Sequence, residues 1–145
     1  MIVTEFDVIR GRGTELARID VARQIDWGEN PLAVISPDGT RIAVARSPDG
    51  PIEIRSLRSQ STFTVPAKGL DKLWGLTWTA DGKGLFVTRH VQGGTELGHV
   101  DLQGSFTRLW KSGGPRCGAT PSPDGRYLAI YDWQQDSNMW MMESF

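Results

Sequence analysis

The sequence predicts an all-β protein, a fragment of a β-propeller built from four-stranded antiparallel blades. Three observations predict this class: a four-residue turn motif with a period of 43 residues, an apolar segment after each copy, and a composition rich in turn residues. Of the 145 residues, 17 are glycine and 8 are proline, which favours short strands over helices. A period near 43 with four short strands per repeat is typical of a propeller blade.

The turn motif reads Ser-Pro-Asp-Gly at 36–39 and 122–125, and Thr-Ala-Asp-Gly at 79–82. Proline fixes φ at the second position of a type I turn, aspartate tolerates the third position, and glycine supplies a positive φ at the fourth. Each copy is therefore expected to join two adjacent antiparallel strands. The predicted structural turn residues are Pro37, Asp38, Gly39, Asp81, Gly82, Pro123, Asp124 and Gly125.

Apolar segments on either side of the turns define the strands. Numbered outward from the propeller axis, the inner strands are predicted at 31–36, 74–79 and 117–121, and the second strands at 41–46, 84–89 and 127–132. The third strands are predicted at 51–57, 95–102 and 138–142, and the outer strands at 22–26, 62–66 and 106–110. Gly-Thr-Glu-Leu at 13–16 recurs at 94–97, so an opening copy adds a second strand near 3–9 and a third at 15–20.

These strands predict a single domain, a partial propeller over residues 1–145. It divides into a partial blade at 1–26, whole blades at 27–66 and 67–110, and a partial blade at 111–145. The first copy lacks an inner strand and the last lacks an outer strand, so we expect the chain to be the C-terminal part of a longer propeller. Unpaired blade edges would then permit self-association.

Composition argues against several classes of function. The 16 Lys and Arg balance 17 Asp and Glu, for a net charge of -1, and no two Lys or Arg residues are adjacent, which argues against nucleic-acid binding. No apolar stretch approaches the ~20 residues of a membrane span, so no membrane insertion is expected. Residues 1–10 lack the features of a signal peptide, which predicts a cytoplasmic chain unless an upstream segment directs export.

The blade sequences carry a family resemblance. The Ser-Pro-Asp-Gly turn, the second strand Arg-Tyr-Leu-Ala-Ile at 126–130 and the third strand His-Val-Asp-Leu at 99–102 resemble the TolB-like, WD-repeat-like bacterial β-propellers. The closing segment 136–145 is similar to the C-termini of bacterial proteins in which a propeller follows a serine/threonine kinase or winged-helix domain. The Trp-Asp pair of eukaryotic WD repeats is missing. The resemblance implies an accessory signalling domain that binds proteins.

Candidate catalytic residues are few. His90 and His99 flank one hairpin without a third metal ligand of suitable spacing, and Cys117 has no histidine near it in sequence. Asp132 and Asp136 bracket a hairpin, a spacing that fits a turn better than a glycosidase pair. We therefore predict no catalytic residues, no metal, no cofactor and no enzymatic activity in this chain.

Tryptophans and charged side chains predict a ligand-binding surface instead. Loops that lead into the inner strands and loops that follow the second strands open on the same end of a propeller. An amphipathic patch for a peptide or small polar ligand is expected there. Its predicted residues are Trp27, Glu29, Lys72, Trp74, Arg116, Asp132 and Trp133.

Two functions remain open from the sequence. The first is a non-catalytic recognition module that binds a protein, peptide or small ligand for an attached signalling domain. The alternative is an accessory propeller that gates the active site of a prolyl-oligopeptidase-like hydrolase located elsewhere. A kinase or winged-helix segment upstream would favour the first function, and an α/β-hydrolase segment downstream would favour the second.

Overall fold

The computed structural model describes residues 2–18, 32–59, 61–66 and 69–134. Every regular element in these ranges is a strand, which confirms the predicted all-β class, and none is a helix that could span a membrane. In chain order the strands are β1 (Ile2–Asp7), β2 (Arg12–Arg18), β3 (Leu32–Ile35), β4 (Arg41–Ala45), β5 (Ile52–Ser56), β6 (Thr62–Val65), β7 (Leu73–Trp78), β8 (Gly84–Val91), β9 (Gly94–Asp101), β10 (Phe106–Ser112), β11 (Arg116–Pro121) and β12 (Leu128–Trp133).

The strands form four antiparallel sheets. Two sheets have four strands, in the orders β3-β4-β5-β6 and β7-β8-β9-β10, and two have two described strands, β1-β2 and β11-β12. Each sheet follows the chain order, as in propeller blades. The predicted strands at 22–26 and 138–142 lie outside the described residues, and the predicted blade boundaries stay predictions.

The end of β1 is one of the strand bounds that differ from the prediction by two or three residues. The opening second strand was expected to reach residue 9, but β1 ends at Asp7. The carboxylate of Asp7 accepts the backbone N–H groups of Ile9 and Arg10, and the Gly11 N–H donates to the Asp7 carbonyl oxygen at 2.9 Å. The chain therefore turns two residues earlier, because an aspartate that caps its own turn competes with strand continuation.

The turn at 36–39 is closed by a small hydrogen-bond network. The Gly39 N–H donates to the Ser36 carbonyl oxygen at 2.9 Å, and Gly39 has a φ of 68°. The Ser36 hydroxyl donates to Oδ1 of Asp38 at 2.5 Å, and the same oxygen accepts the Thr40 N–H at 3.0 Å. These hydrogen bonds lower the pKa of Asp38 to about 2 because they favour the ionised carboxylate, and the bond from Ser36 has the largest effect.

The other two turns repeat this network. The hydroxyl of Thr79 donates to Asp81 at 2.6 Å, and the hydroxyl of Ser122 donates to Asp124 at 2.5 Å. In both turns these hydrogen bonds hold the pKa of the aspartate below its ordinary value. The hydroxyl has the larger effect, and a backbone N–H has the next largest. Ala80 takes the place that proline has in the other two copies. The hydroxyl, the aspartate and the glycine are therefore the features that all three turns share.

The core lies between the two four-stranded sheets. Buried aliphatic side chains of β4, β5, β7 and β8 form one cluster across the two sheets, with Trp78 among them at 3% exposure. The Trp78 Nε1–H donates to the Val34 carbonyl oxygen of the neighbouring sheet at 2.9 Å. The guanidinium of Arg41 lies 4.8 Å from the Trp78 ring centroid and donates to the Gly82 carbonyl oxygen at 2.9 Å. Successive sheets are thus joined by apolar packing and by directed polar contacts.

An ion pair recurs with the same period. Arg46 contacts Glu53 at 2.9 Å, and 43 positions later Arg89 contacts Glu96 at 2.7 Å. Glu96 is only 6% exposed, and a carboxylate so buried requires a charged partner. The position that corresponds to Arg46 and Arg89 in the third copy is Asp132. The third copy therefore has an acidic residue where the first two copies have the arginine of the ion pair.

Gly39 and Gly113 allow the cost of backbone strain to be measured without a steric clash. A Cβ atom would meet nothing within 4 Å at either Gly39 or Gly113, but only Gly39 has a positive φ. Gly39→Val should lower the free energy of unfolding by roughly 1 to 3 kcal/mol, because a β-branched residue resists the left-handed region. Gly113→Val should change it by less than about 0.5 kcal/mol. Urea denaturation monitored by tryptophan fluorescence would measure both. Equal losses in the two variants would refute the turn assignment.

Candidate functional site

The candidate site lies where β7 and β11 begin and β8 and β12 end, opposite the three Asp-Gly turns. We call this the loop end, defined by Lys72, Trp74, His90, Arg116 and Trp133, and the opposite end the turn end. Antiparallel pairing brings these strand ends together: Leu73 pairs with Arg89 at this edge of one sheet, and Arg116 pairs with Trp133 in the next. The predicted residues Trp27 and Glu29 lie outside the described residues.

A β-bulge sets the position of Trp74. The pairing of β7 with β8 shifts between Leu73 and Gly75, so Trp74 is the extra residue of the inner strand. Leu73 and Leu76 both belong to the core although they are three positions apart, which a regular alternating strand would not allow. A Cβ atom at Gly75 would collide with the Thr88 hydroxyl, so glycine permits the close approach. Bulges of this kind re-aim side chains next to functional sites.

Lys72, just before this bulge, has an unusual backbone. Its φ of 54° is the only positive value at a non-glycine residue within the described ranges. Its N–H donates to Oδ1 of Asp49 at 2.8 Å, and its carbonyl oxygen accepts the His90 N–H at 2.9 Å. The residue is therefore held on one side by the loop that contains Asp49 and on the other by β8, and its side chain is left exposed. Conformations of this kind cost free energy and cluster at functional sites.

The Trp74 indole contacts both an imidazole and a guanidinium. The His90 ring is 5.3 Å from the Trp74 ring by centroid, with a tilt of 55°. The guanidinium carbon of Arg116, from the next sheet, lies 5.0 Å from the same indole. A guanidinium over an indole face is attracted by the ring's electron density. The structure thus joins Trp74 and Arg116, which the sequence predicted to share one surface. It adds His90, which the sequence analysis considered only as a metal ligand.

Trp133 is the neighbour of Arg116 on the adjacent strand β12. Because the two residues are direct partners in the β11–β12 ladder, their side chains lie on the same face of the sheet. Trp133 is 60% exposed, which is high for an indole. A shallow depression of about 310 Å³ runs along residues 131–134 beside it. We name Trp74, Arg116 and Trp133 the aromatic–cation row.

Asp132 belongs to a different set of contacts. It pairs with Cys117, and neighbouring positions of a strand face opposite sides, so Asp132 and Arg116 lie on opposite faces of the hairpin. The Ser112 hydroxyl donates to Asp132, and the same hydroxyl accepts the Gly114 N–H at 2.8 Å. Asp132 therefore anchors the loop that leads into β11. Asp132 was predicted to belong to the ligand-binding patch. In the structure it lies on the face opposite Arg116 and is linked to the patch only through the loop that leads into β11.

Cys117 lies on the Asp132 side of the hairpin. Its thiol is 1% exposed, and burial, reinforced by the negative charge of Asp132, raises its pKa despite a hydrogen bond with Thr95. A buried thiol with a raised pKa is a poor nucleophile. His99 lies in a different sheet, that of β7 to β10, where its ring is edge-on to Phe86 at 5.8 Å between centroids.

A second concavity, of about 860 Å³, opens at the turn end between the last two sheets. Its apolar lining includes Phe86 and Tyr127, and its charged lining includes Asp81 and Asp124. Both carboxylates accept hydrogen bonds within their own turns. Within the described residues, no group of three or more His, Cys, Asp or Glu side chains is placed to hold a metal ion.

Sequence reasoning missed three features of these sites. The bulge at Trp74 and the left-handed backbone of Lys72 have no local sequence signal, because contacts with Asp49 and Thr88 impose them. The Arg–Glu pairs did have a signal, since both partners recur at an offset of 43 residues. The replacement of that arginine by Asp132 would have marked the last copy as different.

Two solved structures are similar to this chain over most of its length. TolB from Acinetobacter baumannii is 23% identical, with a TM-score of 0.63 over 92% of this chain and 32% of TolB. A putative 6-phosphogluconolactonase from Bacteroides uniformis ATCC 8492 is 16% identical, with a TM-score of 0.51 over 89% of this chain and 40% of that protein. Neither a family model nor a curated protein sequence matches the chain.

These likenesses, together with the four-stranded antiparallel sheets, confirm that the chain has the fold of a TolB-like β-propeller fragment. The chain spans about a third of the length of TolB and two-fifths of the length of the lactonase-like protein. At these identities the likeness shows the fold alone.

The backbone of Lys72 gives a direct test of strain at the loop end. Lys72→Gly should raise the free energy of unfolding by up to about 1 kcal/mol, because relief of the left-handed conformation exceeds the extra entropy of glycine in the unfolded chain. Lys83→Gly is the matched control, an exposed lysine without a positive φ, and should lower it by about 0.5 to 1 kcal/mol. Urea denaturation measures both. A loss in Lys72→Gly as large as that of the control would contradict the assignment.

Proposed function

We propose that this chain is a non-catalytic recognition module, part of a propeller whose loop end binds a protein or peptide partner for an attached signalling domain. The observation that carries the proposal is the aromatic–cation row Trp74, Arg116 and Trp133, which is fixed by a bulge and by a ladder pair. Tryptophan and arginine are the residues most enriched among the energetic centres of protein interfaces.

Preorganisation supports this reading. Trp74 contacts both His90 and Arg116, and these contacts reduce the freedom that its indole would lose when a partner binds. Trp133 is 60% exposed and presents a large apolar surface beside a charged group. A surface that combines a fixed aromatic, a fixed cation and an exposed aromatic suits an extended peptide better than a small apolar ligand.

The proposed absence of catalysis has its own support. The Cys117 thiol is buried, with a pKa raised above its ordinary value, and it lies on the face of β11 opposite the aromatic–cation row. His90 contacts an indole, and His99 contacts Phe86. These residues are thus engaged in packing and do not form a nucleophile with its base.

Peptide selection tests the proposal. Peptides selected from a displayed random library on the full 145-residue chain should include binders whose affinity Trp133→Ala lowers about tenfold or more, as for an interface anchor. Fluorescence polarisation with the synthetic peptides would measure the change. Thermal unfolding of each variant would show that the fold is retained.

A matched control is Tyr127→Ala, an aromatic that is 69% exposed at the turn end of the same hairpin and also has an arginine, Arg126, near its ring. It should leave peptide affinity within about twofold, since rim and remote positions contribute little. The proposal is wrong if no peptide is selected, or if the two variants weaken binding equally.

A further inference from the structure

We infer that Asp49, at the end of the second sheet, is a positioning residue for the loop end: by holding the backbone of Lys72, it sets where the Trp74 indole lies. The role of Asp49 in partner binding rests on the proposed function. Asp49 belongs to a fourth Ser-Pro-Asp-Gly segment, at 47–50, which is outside the 43-residue series. This segment follows β4 and lies at the loop end, in contact with Lys72.

The turn at 47–50 is closed differently from the three turns at the turn end. The Gly50 N–H donates to the Ser47 carbonyl oxygen at 3.2 Å, but Gly50 does not have a positive φ. Among the described residues, no group of this turn donates a hydrogen bond to Asp49. The Asp49 Oδ1 accepts the Lys72 N–H of the third sheet at 2.8 Å. The motif that closes a hairpin at the turn end therefore joins two sheets at the loop end.

Two successive N–H groups of the third sheet point at this turn. The Lys72 N–H donates to Asp49, and the Leu73 N–H donates to the Pro48 carbonyl oxygen at 2.9 Å. Successive N–H groups of an extended strand point to opposite sides. The φ of 54° at Lys72 departs from that geometry and lets both groups reach one turn. Because hydrogen bonds to an ionised acceptor are the stronger ones, the Asp49 carboxylate favours a conformation that costs free energy at a lysine.

The held backbone leads into the bulge that carries Trp74. The Lys72 carbonyl oxygen accepts the His90 N–H at 2.9 Å, so Lys72 is fixed to β8 as well as to the second sheet. Two residues later, Trp74 is the extra residue of the bulge, and its indole contacts His90 and Arg116. A change of φ at Lys72 would rotate the chain that carries the indole and alter both contacts. Asp49 therefore acts on the aromatic–cation row through Lys72.

The histidines report the position of Trp74 without a ligand. The chain has two histidines, so its proton NMR spectrum contains two imidazole Cε1–H signals. His90 lies beside the Trp74 indole, whereas His99 lies beside Phe86. An aromatic ring displaces the signal of a proton near it, and Trp74→Leu would show how far the indole displaces the His90 signal. The His99 signal is the internal reference and shows whether the fold is retained.

Three aspartate variants test the inference at one fixed pH. Asp49→Ala removes the acceptor and should move the His90 signal towards its position in Trp74→Leu, with the His99 signal unchanged. Asp49→Asn keeps an acceptor oxygen without the charge and should leave the His90 signal near its original position. Asp38→Ala is the matched control, since Asp38 belongs to the same motif at the turn end, and it should move neither signal. An unmoved His90 signal in Asp49→Ala would overturn the inference.

Lys72→Gly tests whether Asp49 acts through the backbone of this residue. Glycine adopts the left-handed region without a side-chain penalty. Asp49→Ala should therefore move the His90 signal less when it is combined with Lys72→Gly than when it is made alone. Equal movement in the two cases, or movement in Asp49→Asn as large as in Asp49→Ala, would contradict the inference.

Peptide affinity tests the role of Asp49 in binding. Peptides selected on the full chain should bind Asp49→Ala about threefold to tenfold more weakly, because the Trp74 indole is no longer held in place before binding. Asp38→Ala should bind them as the unaltered chain does. An affinity unchanged in Asp49→Ala would overturn its role in partner binding. Failure to select any peptide would count against the proposed function alone, since the histidine signals report the position of Trp74 independently.

Discussion

The hydrogen bond from a turn hydroxyl to the aspartate two residues later is the interaction on which the rest of the structure depends. It recurs at Ser36, Thr79 and Ser122 and closes the hairpin between the first two strands of three sheets. A closed turn fixes the pairing register, and a slip of one residue would turn every side chain of a strand to the other face. Arg116 and Trp133 meet on one face because the turn at the far end of their hairpin sets their register.

The loop end is where the repeat is irregular. Trp74 occupies a bulge, Lys72 has a left-handed backbone, and Asp132 stands where the two preceding copies have arginine. The turn end, in contrast, has the same network three times. Departures from regular geometry cost stability and persist where surrounding contacts impose them, which is typical of functional surfaces. The turn end thus fixes the register of the strands, and the departures from the repeat lie at the loop end. This distribution favours recognition at the loop end.

Periodicity made most of the fold predictable. The spacing of Asp38, Asp81 and Asp124 indicated the blades, and the predicted strands that fall in described residues are each present within about three residues of the expected bounds. The site was only partly predictable. Trp74 and Arg116 share a surface as expected, but Asp132 faces the other side of its hairpin. A bulge depends on contacts between strands distant in sequence, so one strand's alternation pattern does not reveal it.

The most direct test of this account is an NMR titration of the Asp38 carboxyl group in the intact chain. Because the folded-state pKa is lowered from 3.8, the ionised carboxylate stabilises the fold above that value, and the contribution is lost as the pH falls towards the folded pKa. The account predicts a titration midpoint at about 2, and a midpoint closer to 3.8 in Ser36→Ala, which lacks the donating hydroxyl. A midpoint near 3.8 in the unaltered chain, or no change in Ser36→Ala, would contradict it.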